Sequence, residues 1–191
     1  KETGAVLEEE VTLAKDEGNR PSTNLDGLVG LKPVFEGGTI TAGNASGIND
    51  GAAVVLLAND AALAEHNLES RARVVGAVAV GCDPARFGLG PVGAVQSLCE
   101  QTGWNLAGVD TVGINEAFAV QTLACARDLG LSDEQLNPRG GAIALGHPIG
   151  ASGTRILVTL LYEMQKRDAK KGLATLCIGG GMGIAMCLER D

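Results

Sequence analysis

From Gly51 onward, apolar runs and amphipathic stretches follow one another at regular intervals. Gly51–Ala58 is a continuous apolar run and predicts a buried strand. Asn59 or Asp60 then caps a helix running to about Asn67. The Val-rich Arg71–Val80 predicts a second strand, and Pro91 begins a helix to about Gly103. Val109–Ile114 predicts a third strand, followed by a helix over Ala117–Leu129 that Gly130 closes. Gly141–Leu145 reads as a short strand, and a helix starts near Ser152 and runs to about Lys170. Its apolar stretch Ile156–Met164 suits a helix covered on several sides. Two strands, Leu173–Ile178 and Gly183–Glu189, flank a glycine turn at the end. Strand and helix alternate and a hairpin closes the series, which predicts an α/β layered fold around a mostly buried mixed sheet.

Residues 1–48 differ. They are rich in turn formers, as in Gly18-Asn-Arg-Pro-Ser-Thr-Asn24 and Phe35-Glu-Gly-Gly38, and predict long loops with short elements. So much irregular chain suits part of a larger body. The chain starts at Lys1 with a polar stretch to Arg20, from which we expect a chain cut or processed upstream.

Composition narrows the chemistry. Apolar residues make up 45% and aromatics 3%, so the core must be Ala, Val, Leu and Ile. Glycine occupies 28 of 191 positions, about twice the usual ~7%. With no collagen-like period, these glycines point to tight turns and close backbone contacts. A net charge of -8 argues against a nucleic-acid surface, which needs clustered Lys and Arg. No run is long enough to span a bilayer, so no membrane partner is expected. Five cysteines without CxxC or Cys/His zinc spacing suit a reducing compartment, and we expect a cytoplasmic protein without a bound metal.

Three motifs end predicted strands, where ligands bind in open α/β folds: Asn115-Glu-Ala-Phe-Ala119, Gly146-His-Pro-Ile-Gly-Ala-Ser-Gly153 and Cys177-Ile-Gly-Gly-Gly-Met-Gly183. His147 precedes a proline that disfavours helical geometry for it, so it sits in a tight turn, either packed or reactive. Cys177 precedes glycines whose N–H groups can face an oxyanion; the bland alternative is a buried thiol beside a hairpin. Asn115 is either a helix cap or a site residue. His66 reads as solvated. Gly88–Gly93 matches GxGxxG, but Pro91 removes a donor, and a glycine loop starting a helix is the better account than a dinucleotide site.

Together, in this order, the three motifs resemble the signatures of thiolases, and Thr41–Gly51 resembles a fourth. The resemblance runs from about Arg20 to Arg190. Related condensing enzymes carry a second His or an Asn where Cys177 stands.

The resemblance implies a thiolase-like αβαβα fold, of which this chain is the C-terminal half, with a five-stranded mixed sheet covered by helices. It implies residues 1–48 as the end of a loop domain over CoA, 49–69 as the last strand and helix of the N-terminal domain, and 70–191 as the C-terminal domain. It implies an acyl-CoA C-acyltransferase of homodimeric or homotetrameric type, with acetyl-CoA or 3-ketoacyl-CoA as substrate and no cofactor beyond the CoA thioester.

The implied roles are specific. His147 activates an acyl-accepting cysteine. Cys177 is the second acid/base. Asn115 holds a water that completes an oxyanion hole with His147, and the Gly179 N–H serves the other. Ser46 contacts pantetheine with Ala42 nearby, and Arg20 contacts the nucleotide. The family's nucleophilic cysteine has no counterpart at Cys82, Cys99, Cys125 or Cys187, so the missing N-terminal half is an expected partner. The alternatives are an acyl-CoA-binding or structural subunit without turnover, and a condensing enzyme for carrier-bound substrates, against which Cys177 speaks.

Overall fold

The computed structural model describes residues 12, 14–16 and 18–191. Of the expected loop region 1–48, residues 1–11, 13 and 17 lie outside the described residues. The rest is irregular and mostly exposed, with one short helix, α1 (Leu25–Val29), capped by Asn24.

The sheet has four strands: β1 (Arg73–Gly81), β2 (Thr111–Ile114), β3 (Lys171–Ile178) and β4 (Met182–Glu189), in the order β1-β4-β3-β2. β4 runs antiparallel to both neighbours, and β2 lies parallel to β3. The expected fifth strand is replaced by a single bridge between Val112 and Leu136. There Asn137 stands in for a strand residue. Its Oδ1 accepts from Ile114 N–H at 2.8 Å and its Nδ2 donates to Ile114 O at 2.8 Å. One side chain thereby satisfies backbone groups that a fifth strand would have paired.

Helices cover both faces. α3 (Gly90–Thr102) packs Ala94, Val95 and Leu98 against Leu173, Ala185 and Cys187. α6 (Ser152–Arg167) packs Ile156, Leu160 and Met164 against Ala174 and Leu188 on the other face. Leu173 and Ala174, then Cys187 and Leu188, face opposite sides, as the two-residue period of a strand requires. α6 is buried along one stripe only. Tyr162 is 58% exposed, so covering on several sides does not hold within this chain.

Gly90 opens α3 where a Cβ would strike the carbonyl of Met182, and a Cβ on Gly183 would strike that of Gly90. Gly90 of the 88–93 motif therefore lets α3 close onto β4, which fits the reading of that motif as a glycine loop starting a helix. α4 (Ala119–Leu129) ends at Gly130 in the left-handed region, φ 66°. α2 (Asp60–Glu65) is capped by Asn59 and stops two residues short of Asn67, at an exposed His66.

Two predicted strands are corrected. Gly51–Ala58 belongs to no strand and is largely exposed, with Val54 at 86% and Leu56 at 79%. A strand exists only through a partner's hydrogen bonds, and none is present beside it among the described residues. Gly141–Leu145 forms a helical turn instead, α5 (Ala142–Leu145). The Glu116 carboxylate accepts from Ile143 N–H at 3.2 Å, capping that turn from a distant segment.

Candidate active site

β2 and β3 are parallel, and β2 ends at Ile114 opposite Thr175, three residues before the end of β3. Asn115 follows directly, and its N–H donates to Thr175 O at 3.0 Å. Cys177 lies two residues further along β3, half-buried and paired with Gly183 across the hairpin. Gly179 is exposed, and the chain turns through Gly180 and Gly181 at φ 93° and 96°. Asn115, Cys177 and Gly179 therefore share one edge of the sheet.

His147 reaches this edge from the turn between α5 and α6. Gly146 takes φ 93°, and a Cβ there would collide with Asn49. The His147 N–H donates to Gly47 O at 2.8 Å. These contacts swing the ring onto Asn115, with Nε2 and Asn115 Nδ2 at 3.3 Å. Asn115 is fully buried and does not cap α4, whose N-cap is Phe118. Its side chain serves the imidazole instead.

Sequence reasoning missed two members of the cluster. Ser152 Oγ lies 2.5 Å from His147 Nδ1 and donates to Pro148 O at 3.0 Å. Arg155 Nη2 donates to Asn115 Oδ1 at 3.0 Å. Ser152 read only as a helix start. Arg155 carried one available signal, a cation amid the apolar face of a helix. The Glu116 carboxylate completes the group, accepting from Asn137 Nδ2 at 3.0 Å.

The hydrogen bonds fix directions. A guanidinium only donates, so Asn115 turns Oδ1 to Arg155 and its NH2 to His147. Nε2 then accepts. Ser152 spends its proton on Pro148 O and accepts from Nδ1–H. The imidazole is neutral, protonated on Nδ1, with Nε2 basic. Burial holds its pKa below the ordinary value, and the charge of Arg155 lowers it further. Burial pushes the Cys177 thiol up, a backbone hydrogen bond opposes this, and the nearby Cys82 adds to the rise. Imidazole and thiol are thus both neutral near pH 7. Nε2 becomes a donor to an oxyanion only after it has gained a proton.

Ser46 is tied to the same edge: its Oγ and its N–H both donate to Ala117 O, at 3.0 and 3.1 Å. Ala119 N–H donates to Asn44 O at 2.8 Å, so the loop 44–47 is clamped between the start of α4 and His147. Ala42, two residues before that loop, is exposed. Arg20 is exposed, and no contact among the described residues ties it to the cluster. Asn49–Ala53 and Pro148–Ala151 line a groove beside His147. Among the described residues no group of His, Cys, Asp and Glu is arranged to hold a metal, and no helix is long and apolar enough to cross a membrane.

Comparison with known proteins places this edge in context. Residues 68–190 match the family model described as Thiolase, C-terminal domain, and residues 3–61 match Thiolase, N-terminal domain. The acetyl-CoA acetyltransferase of Chromobacterium violaceum is 53% identical over 176 residues, covering 92% of this chain and 45% of that protein. The crystal structure of the Bacillus anthracis acetyl-CoA acetyltransferase superposes with TM-score 0.90 at 44% identity, over 97% of this chain and 47% of that one. Human mitochondrial 3-ketoacyl-CoA thiolase in complex with CoA superposes with TM-score 0.85 at 42% identity, over 92% of this chain and 45% of that one. The chain spans about half the length of the relatives it matches.

Proposed function

The chain belongs to the thiolase family, and from that premise we propose that it supplies half the active site of an acyl-CoA C-acyltransferase. The observation that carries this reading is the basic Nε2 of His147 beside the buried Asn115 amide, at the strand ends that also carry Cys177 and the glycine turn.

The reaction is ping-pong. In the synthetic direction a cysteine from the N-terminal half, deprotonated by His147 Nε2, attacks an acyl-CoA carbonyl and expels CoA, whose thiolate takes its proton from the Cys177 thiol. Cys177, now a thiolate, takes the α-proton of acetyl-CoA. The resulting enolate oxygen is held by protonated His147 and by a water on Asn115. The enolate carbon attacks the acyl-cysteine, and the Gly179 N–H receives the developing oxyanion. Such a donor contributes about 3–4 kcal/mol to lowering a barrier. The tetrahedral adduct collapses to 3-ketoacyl-CoA and frees the cysteine. Thiolysis is the same path reversed. The substrate is itself a CoA thioester, and the steps require no prosthetic group.

Ser46 and Ala42 are assigned to the pantetheine arm and Arg20 to the nucleotide, by the resemblance to thiolases. Residues 1–48 are assigned to the loop domain over CoA, 49–69 to the N-terminal domain and 70–191 to the C-terminal domain. The intact protein is assigned as a cytoplasmic homodimer or homotetramer.

The test is acetoacetyl-CoA thiolysis by the 191-residue chain and by the full-length polypeptide that carries it. Turnover is expected from the second and not from the first. Turnover by the chain alone would overturn the missing nucleophile. CoA binding by the full-length polypeptide without turnover of any 3-ketoacyl-CoA would replace an enzyme with a binding subunit.

A further inference from the structure

Ser152 and Arg155 stand three residues apart on α6 and so project from one face of the helix. Ser152 meets Nδ1 of His147, and Arg155 meets the Asn115 amide that faces Nε2. One helical turn thus addresses both ring nitrogens. An asparagine amide can present either end to a neighbour. Only an obligate donor on Oδ1 makes its NH2 face the ring.

Arg155 is not placed there for its own comfort. Its Nε is buried without a hydrogen-bond partner among the described residues, which costs stability. Burial also weakens its hold on its proton, and the Glu116 carboxylate opposes that effect. Glu116 in turn is held by Asn137 Nδ2 and Ile143 N–H.

We propose that Arg155 is a positioning residue for His147: its guanidinium turns the Asn115 amide, and the turned amide keeps the imidazole in the Nδ1–H form, with an Nε2 lone pair held by Asn115 until a proton donor of the reaction displaces it. The proposal rests on the thiolase reading only for the source of that proton. Around the ring, α6 contributes Ser152 and the charge of Arg155. The segment after β2 contributes Asn115 and Glu116. Asp50 lies across the groove beside Pro148.

The experiment is ¹⁵N NMR of the two His147 ring nitrogens in the full-length polypeptide, assigned by difference against His147→Asn. The native protein is expected to show the Nδ1–H form. Arg155→Gln frees the Asn115 amide to rotate and removes a cation, so the Nε2–H form grows in and the His147 titration midpoint rises. In the thiolysis assay kcat should fall on the order of 100-fold, with KM changed by less than about threefold. Arg155→Lys keeps a charge and a donor, so it should restore the midpoint and most of the native tautomer. Asn115→Asp, with Arg155 intact, puts an acceptor against Nε2 and should protonate it. Unchanged ring shifts and midpoint in a folded Arg155→Gln protein would overturn the proposal. Should that variant fail to fold, unchanged shifts in Asn115→Asp would do so. The ring measurements need no turnover: an inactive native protein would sink the reaction and leave the tautomer result standing.

Discussion

Burial moves His147 and Cys177 toward the same condition from opposite sides. It lowers the proton affinity of the imidazole and raises that of the thiol, so both groups are neutral near pH 7. The NMR midpoint of His147 is therefore expected below the ordinary histidine value of 6.5. A midpoint at or above it would contradict the burial argument. A stability effect follows with a definite sign. Between the depressed folded pKa and 6.5, the unfolded chain binds more proton than the folded one. Stability is then fully present above 6.5 and declines as pH falls through that value toward the folded pKa. Urea denaturation across this range should show a shallower pH slope in His147→Asn than in the native protein. His147 and Cys177 were legible in the chain because turn chemistry and a glycine run mark them locally. Ser152 and Arg155 were not, because their roles depend on partners reached only after folding.

The elements whose period is long enough to show were read correctly. α3, α4, α6, β1, β3 and β4 all lie within a few residues of their predicted spans. The failures are short apolar runs, for which period alone cannot separate strand from helix. Ala142–Leu145 became helical because Glu116 caps it. The five-stranded sheet became four strands because Asn137 closes the β2 edge with its side chain. Asn137 also sits at φ 42°, in the left-handed region, where Asn is tolerated better than Ala. Asn137→Ala should cost about 1–3 kcal/mol by leaving two backbone groups of Ile114 without their side-chain partner and removing one of the hydrogen bonds to Glu116. Chemical denaturation measures this, and a loss below ~0.5 kcal/mol would show that water replaces the amide at no penalty. Because Glu116 lies beside Arg155, activity should fall together with stability.

Taken as one body, the chain has two unlike parts. Residues from Arg73 onward hold both apolar clusters, whereas Ile48, Val54, Leu56 and Leu57 are 77–89% exposed along one extended segment. Exposed apolar surface of this kind marks an interface or an aggregation risk. On the thiolase reading, the segment completes a sheet of the N-terminal half. Val54→Asp with Leu56→Asp should therefore make the isolated 191-residue chain less prone to self-association, as read by light scattering. The same pair should prevent folding of the full-length polypeptide. Normal assembly of the full-length double variant would refute burial of this segment there.

Periodicity, turn residues and motif order act over a few neighbours, and they sufficed for the α/β class, the long elements, the family resemblance and the choice of His147 and Cys177 as candidates. Partner choice across the fold did not follow from them. Arg155 meets Asn115 across 40 residues and Ser46 meets Ala117 across 71. Closure of α3 on β4, the capping of α5, the unpaired state of 51–58 and the tautomer of His147 all required three dimensions. Each depends on which distant group arrives with a donor, an acceptor or an absent Cβ, and no local stretch of sequence carries that information.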